Sequence, residues 1–166
     1  MKSKGSAIVA MVSLAAVVAL SASTVQAAQW GFTAYKQNMA MDPSGDTIRV
    51  TGAGLFDDVT AAVSGHGAYS ISDASDQVTE RGTWVATEFV SFESEGGLNR
   101  GAQGGVLEIT VTLVPNGGSP VPGVPMTVIC PFDPVTGFDE AIDATLVGPF
   151  TDKIGDGDTV FRLIRP

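Results

Sequence analysis

Apolar residues recur at every second position along most of this chain, in short runs. The clearest run is Val106–Val114, where Leu107, Ile109, Val111 and Leu113 alternate with Glu108, Thr110 and Thr112. That period predicts a strand with one face on a core. Thr47–Thr51 alternates around Ile48 and Val50, and Gly67–Ser72 around Tyr69 and Ile71. Trp30–Tyr35, Met126–Cys130, Phe150–Ile154 and Thr159–Ile164 read as further strands, and Val59–Ser64 as a weaker one. Between them lie turn and loop residues. Gln37–Asp46 contains Asp42-Pro43-Ser44-Gly45, Asp73–Glu80 is polar, Glu95–Gly105 is rich in glycine and Pro115–Pro125 is rich in proline. Gly155-Asp156-Gly157-Asp158 predicts a hairpin between the last two runs. Asp139–Val147 is ambiguous: Phe138, Ile142 and Leu146 fit a helix face, while Ile142, Ala144 and Leu146 alternate as in a strand. The strand reading is preferred, because Gly148-Pro149 stops the run and its neighbours are strands. About eight strands are enough to close an antiparallel β-barrel and remove the sheet edges; a β-sandwich is the alternative.

The longest uninterrupted strand signal is Arg81–Ser94, which holds Trp84, Phe89 and Phe92 and no proline. Strict alternation places Trp84, Ala86, Val90 and Phe92 on one side together with Glu88. Val85 and Phe89 share the other side with Thr87, Ser91 and Glu93. A carboxylate in the middle of an apolar face is costly unless it has a partner or water. Glu88 therefore either lines a cavity, where it could orient a polar ligand group or act as acid or base, or is turned into solvent by a bulge. Arg49, Arg81 and Arg162 are candidate partners, although each alternates with inward apolar residues and reads as an outward charge.

The first 27 residues stand apart. Lys2 and Lys4 precede an apolar run, Ala7–Leu20, broken only by Ser13, and Val25-Gln26-Ala27 places small residues at a cleavage site. This predicts a secretory signal peptide over residues 1–27 and one exported domain over 28–166, secreted or periplasmic. No later run is long and apolar enough for a membrane helix. Cys130 is the single cysteine, so no intrachain disulfide and no cysteine-based metal framework is available. Its apolar neighbours Val128 and Ile129 predict a buried thiol. The formal charge is −9, and loss of Lys2 and Lys4 makes it more negative. Such a chain repels nucleic acid and anionic lipid, and neither is an expected partner.

Catalytic and cofactor motifs are sparse. His66 is the one histidine, between Gly65 and Gly67, and no Gly-x-Ser-x-Gly elbow accompanies it. Gly52-x-Gly54 and Gly65-x-Gly67 lack the rest of a nucleotide fingerprint. Asp152, Asp156 and Asp158, like the cluster Asp133, Asp139, Glu140 and Asp143, offer oxygen ligands without a recognised metal-loop spacing. We therefore assign no catalytic residue, metal or cofactor from sequence.

The segment Gly65–Phe92, with Arg81-Gly82-Thr83-Trp84-Val85-Ala86-Thr87, resembles a recurring pattern in small exported all-β proteins of uncharacterised activity. Gly104-Gly105-Val106-Leu107-Glu108-Ile109 and Gly157-Asp158-Thr159-Val160-Phe161 extend the likeness over most of residues 28–166. The strand number is also similar to calycin, allene-oxide-cyclase and dirigent-like barrels. That similarity implies an architecture and no activity.

Two readings follow. In the first, the barrel interior or mouth binds a small, mostly apolar ligand through Tyr69, Trp84, Glu88, Phe92 and Phe161, with Phe89 adding to the aromatic supply. In the second, those aromatics fill a closed core, and the protein is structural or acts through its surface. An isomerase- or cyclase-type enzyme using Glu88 comes third.

Overall fold

The computed structural model describes residues 28–99, 101–130, 144–154 and 157–165, and all its regular structure is β. The strands are β1 (Gln29–Met41), β2 (Thr47–Asp57), β3 (Ala62–Ser72), β4 (Val78–Asn99), β5 (Ala102–Pro115), β6 (Val121–Cys130), β7 (Ala144–Val147), β8 (Asp152–Ile154) and β9 (Asp158–Arg165). They make one antiparallel sheet in the order β4-β3-β2-β1-β9-β5-β6-β7, and β4 also pairs with β5. That last pairing brings β4, one end of the order, onto β5, so β1, β2, β3, β4, β5 and β9 form a partial ring from which β6 and β7 extend. The expected all-β barrel is thus the observed fold. The predicted signal peptide, residues 1–27, lies outside the described residues, as does the acidic cluster Asp133, Asp139, Glu140 and Asp143.

Four local expectations change. The stretch 37–46, expected as a turn, is strand through Met41 and turns only over Asp42–Asp46. The glycine-rich stretch 95–105 is not a free loop: β4 and β5 stay paired through Gly96↔Gly104 and Asn99↔Ala102, a long hairpin. The proline-rich stretch 115–125 narrows to a turn before β6, because Val121, Val124 and Pro125 already pair with β5. Prolines cannot donate to a ladder, and they sit here on a strand of the outer part of the sheet. The closing segments are not a hairpin either. β8 pairs with β1 at Met39–Met41, and β9 pairs with β1 along Gln29–Tyr35. Both run antiparallel to β1, so they are two pieces of one interrupted strand. The interruption matches an irregularity in β1, whose register with β2 shifts between Ala34 and Asn38. There Asn38 is buried; its amide donates to the Tyr35 carbonyl at 2.7 Å and its oxygen accepts from Thr159 at 3.0 Å.

The core is built from rings laid flat on bare backbone. Gly52 and Gly67 are cross-strand partners, as are Gly54 and Gly65. Trp84 on β4 lies over the first pair and Phe32 on β1 over the second. The indole N–H donates to the Thr51 carbonyl at 3.1 Å. The two rings stack with centroids 6.4 Å apart and planes 19° apart. A side chain at Gly67 would collide with the Thr51 carbonyl and the indole, and one at Gly54 with the Phe32 ring. The Gly-x-Gly pairs thus make room for rings, a packing role. Each fully buried ring of this kind contributes about 1.5–3 kcal/mol through burial alone.

Two turns share one design. In Asp42–Asp46 and in Asp73–Gln77 the first aspartate's Oδ1 accepts N–H groups two and four residues on. The fourth residue of each, Gly45 or Asp76, has positive φ. This is the three-residue hairpin loop with a left-handed residue before the strand resumes. Asp57 accepts from Val59 and Thr60 in the next loop, where Ala61 is left-handed with φ 55°. Ser44 donors hold the Asp42 carboxyl below its usual range, and Thr60 does the same for Asp57.

Two substitutions should act in opposite directions on the urea midpoint, read by tryptophan fluorescence. Gly67→Ala should cost about 1–3 kcal/mol, because its methyl meets backbone and indole. Ala61→Gly should add about 0.5–1 kcal/mol by relieving a left-handed alanine. Equal midpoints for both variants would contradict the packing described.

Candidate functional site

The expected ligand-binding aromatics lie in the core. Trp84 and Phe161 are fully buried, and Tyr69 is buried against Gly82. Phe92 is partly buried and touches three rings, Phe56 at 4.8 Å, Phe161 at 5.2 Å and Trp30 at 5.8 Å. Phe89 stacks on Phe56 at 6.0 Å. Tilted and edge contacts at these distances are favourable aromatic packing. The rings spend their faces on one another. Tyr69 spends its polar end as well: its hydroxyl donates to Glu80 Oε1 at 2.6 Å.

Glu88 is exposed, on the outer side of the sheet. The reason is two irregularities in β4. Ala86 pairs with Val111 and Glu88 with Thr110, so Thr87 is an extra residue. Phe89 then pairs with Ile109 and Ser91 with Glu108, so Val90 is another. Each insertion reverses which side the following residues face. Trp84 and Ala86 point in, Phe89 replaces Glu88 as the next inward residue, and Phe92 points in after the second shift. Val90, expected in the core, is 54% exposed. Glu88 accepts a hydrogen bond from the Thr110 hydroxyl at 3.4 Å. Arg49, Arg81 and Arg162 are exposed, as their alternation implied.

Among the described residues, concave surface is found on the outer face. A groove of about 430 Å³ crosses β9, β1 and β2, with Thr33 and Ala53 in its floor and Tyr35, Leu55, Arg162 and Ile164 at its sides. Leu55 and Ile164 converge above Gly31. Adjoining hollows of about 380 Å³ and 340 Å³ share Ala53 and His66 and continue onto β3. The outward cross-strand row explains the shape: Val160, Thr33, Ala53, His66 and Val85 are successive neighbours on five strands. Small side chains at its centre leave a trough, and the larger Tyr35, Leu55 and Ile164 are 40–54% exposed beside it. Alternation alone hides this site, because it assigns the outward positions to solvent. The available signal was that Gly52-Ala53-Gly54-Leu55 has no polar residue at either parity.

Among the described residues no group of three or more His, Cys, Asp or Glu side chains could hold a metal. Asp156 lies outside them. Cys130 is buried, and His66 lies on the outer face with Ala53 and Val85 as cross-strand partners. No described helix is long and apolar enough to cross a membrane. The described side chains lining the trough supply apolar contact and one guanidinium.

Burial, then the Glu80 hydrogen bond and charge, raise the Tyr69 phenol well above its ordinary value. The folded state then holds that proton more tightly than the unfolded chain. Its contribution to stability is complete below about pH 10 and is lost as pH rises further. In a spectrophotometric titration, one tyrosine should ionise only together with unfolding; phenolate formation by both tyrosines in the folded protein would contradict the buried bond. Tyr69→Phe should cost about 1 kcal/mol. Glu88→Gln should change stability by less than about 0.5 kcal/mol, as expected of an exposed carboxylate.

No protein-family model matches this chain, and no curated protein and no solved structure is significantly similar to it.

Proposed function

We propose that this is an exported protein with a closed core that works by surface interaction, through the outer face of β9, β1, β2 and β3. The observation that carries this reading is the division of apolar residues between two sides of one sheet. The aromatics available for an interior ligand pack on one another and on glycine backbone. The apolar groups left exposed and close together, Tyr35, Leu55 and Ile164, border a trough on the outside. A face of this kind marks a contact site more often than a catalytic one. The signal-peptide pattern of residues 1–27 supplies the exported location.

Chromatography on a phenyl matrix tests the assignment of the face. The protein released by its own cells should be retained at moderate salt. Leu55→Glu with Ile164→Glu should release it, whereas Val121→Glu, at another exposed valine, should not. Equal retention of both variants would overturn the reading. Native mass spectrometry of the released protein should give the mass of a chain beginning at Ala28, or multiples of it, with no small molecule bound. A retained small molecule would favour an interior or mouth ligand instead.

A further inference from the structure

We infer that the partner of this face is a second copy of the same chain, docked through the opposite side of its barrel, so that copies join head to tail. The inference rests on the surface-interaction reading and adds the partner. Its basis is a separation of charge around the ring. On β1 and β2 the outward positions Gly31, Thr33, Tyr35, Thr51, Ala53 and Leu55 carry no charge. Arg49 on β2 and Arg162 on β9 flank them, both exposed. The nearest outward carboxylate of β2, Asp57, is turned onto its own loop and accepts the Val59 and Thr60 N–H groups. Two exposed arginines thus stand around this stretch of β1 and β2, whose Tyr35 pairs in the register with Asp158 of β9.

A cluster of three carboxylates lies across the barrel. Outward from β4 and β5 stand Glu88, Glu93 and Glu108, all exposed, around the exposed Val90. They lie close on the ladder: Glu88 pairs with Thr110, Ser91 with Glu108 and Glu93 with Val106. The Ser91 hydroxyl donates to Glu108 at 3.0 Å, holding that carboxylate over the sheet. The bulges that turn Glu88 outward therefore also raise an apolar knob ringed by carboxylates. In the ring β1-β2-β3-β4-β5-β9, the pair β4–β5 is diametrically opposite β1–β2. One face offers a trough flanked by Arg49 and Arg162; the other offers Val90 flanked by Glu88, Glu93 and Glu108. Opposite charges across a contact fix orientation and steer the encounter. Two different patches on opposite sides cannot close into a two-fold dimer, so the contact propagates along a line.

Sedimentation velocity in about 0.15 M salt, from about 1 to 100 µM, tests this. The expected result is a weight-average mass that climbs past the dimer. Arg49→Glu with Arg162→Glu should weaken association by about tenfold or more, and so should Glu93→Arg with Glu108→Arg. Mixing the two variants should restore it, because each reversed face then meets a complementary one. All four positions are exposed, so unchanged urea midpoints certify the folds. Three results would overturn the proposal: a wild-type chain that stays monomeric, association that stops at a dimer, or reversals that have no effect. A monomer still retained on the phenyl matrix would leave the surface face standing and remove only the second copy as its partner.

Discussion

The rest of this structure depends on aromatic rings lying directly on backbone. Trp84 covers Gly67 and Gly52, Phe32 covers Gly54 and Gly65, Tyr69 covers Gly82, and Phe92 covers Gly105. At Gly52, Gly54, Gly67, Gly82 and Gly105 the ring comes closer than a Cβ would allow, and at Gly65 the fit is tight. Because the glycines of β2 and β3 face one another across the ladder, two rings from opposite directions fit into one strip and stack. That arrangement offsets the weak strand preference of glycine with ring burial, and the partial ring closes around it.

The same arrangement shapes the outside. On β2 and β3 the strip Gly52, Gly54, Gly65 and Gly67 has no inward side chains, and only the small Ala53 and Ser64 stand outward along it beside His66. Larger residues beside it, Leu55, Ile164 and Tyr35, become the banks of a trough. Core and surface meet on the same strands: the inward glycines admit Trp84 and Phe32, and the small outward residues Thr33 and Ala53 leave the concave face. On β4 the coupling runs through the two bulges. They bring Phe89 and Phe92 into one aromatic cluster and, as a consequence, push Glu88 and Val90 outward. An acid that alternation placed among apolar residues is solvated for a simple geometric reason.

Function follows the division between what is consumed and what is left. Tyr69, Trp84, Phe92 and Phe161 are consumed in packing, and the Tyr69 hydroxyl is consumed by Glu80. Two opposite faces of the ring differ in what they expose: Tyr35, Leu55 and Ile164 with Arg49 and Arg162 nearby on one, Val90 with Glu88, Glu93 and Glu108 on the other. This difference makes a surface role, and self-association in particular, the reading that the geometry supports best.

Much was legible from sequence alone. Period-2 alternation identified Val106–Val114, Thr47–Thr51 and Gly67–Ser72 as strands, and the absence of helical periodicity gave the all-β class. These properties are local, since each residue's face depends only on its neighbours. The same locality explains the failures. Whether β8 and β9 pair with each other or both with β1 depends on partners more than a hundred residues away. Whether the stretch 95–105 is loop or hairpin depends on a ladder already running between β4 and β5. The outward turn of Glu88 depends on Thr110 and Val111, on another strand, because a bulge is a mismatch between two strands and neither sequence shows it by itself. Alternation told which residues could share a face; tertiary pairing decided which face, and so placed the apolar trough on the outside of the barrel.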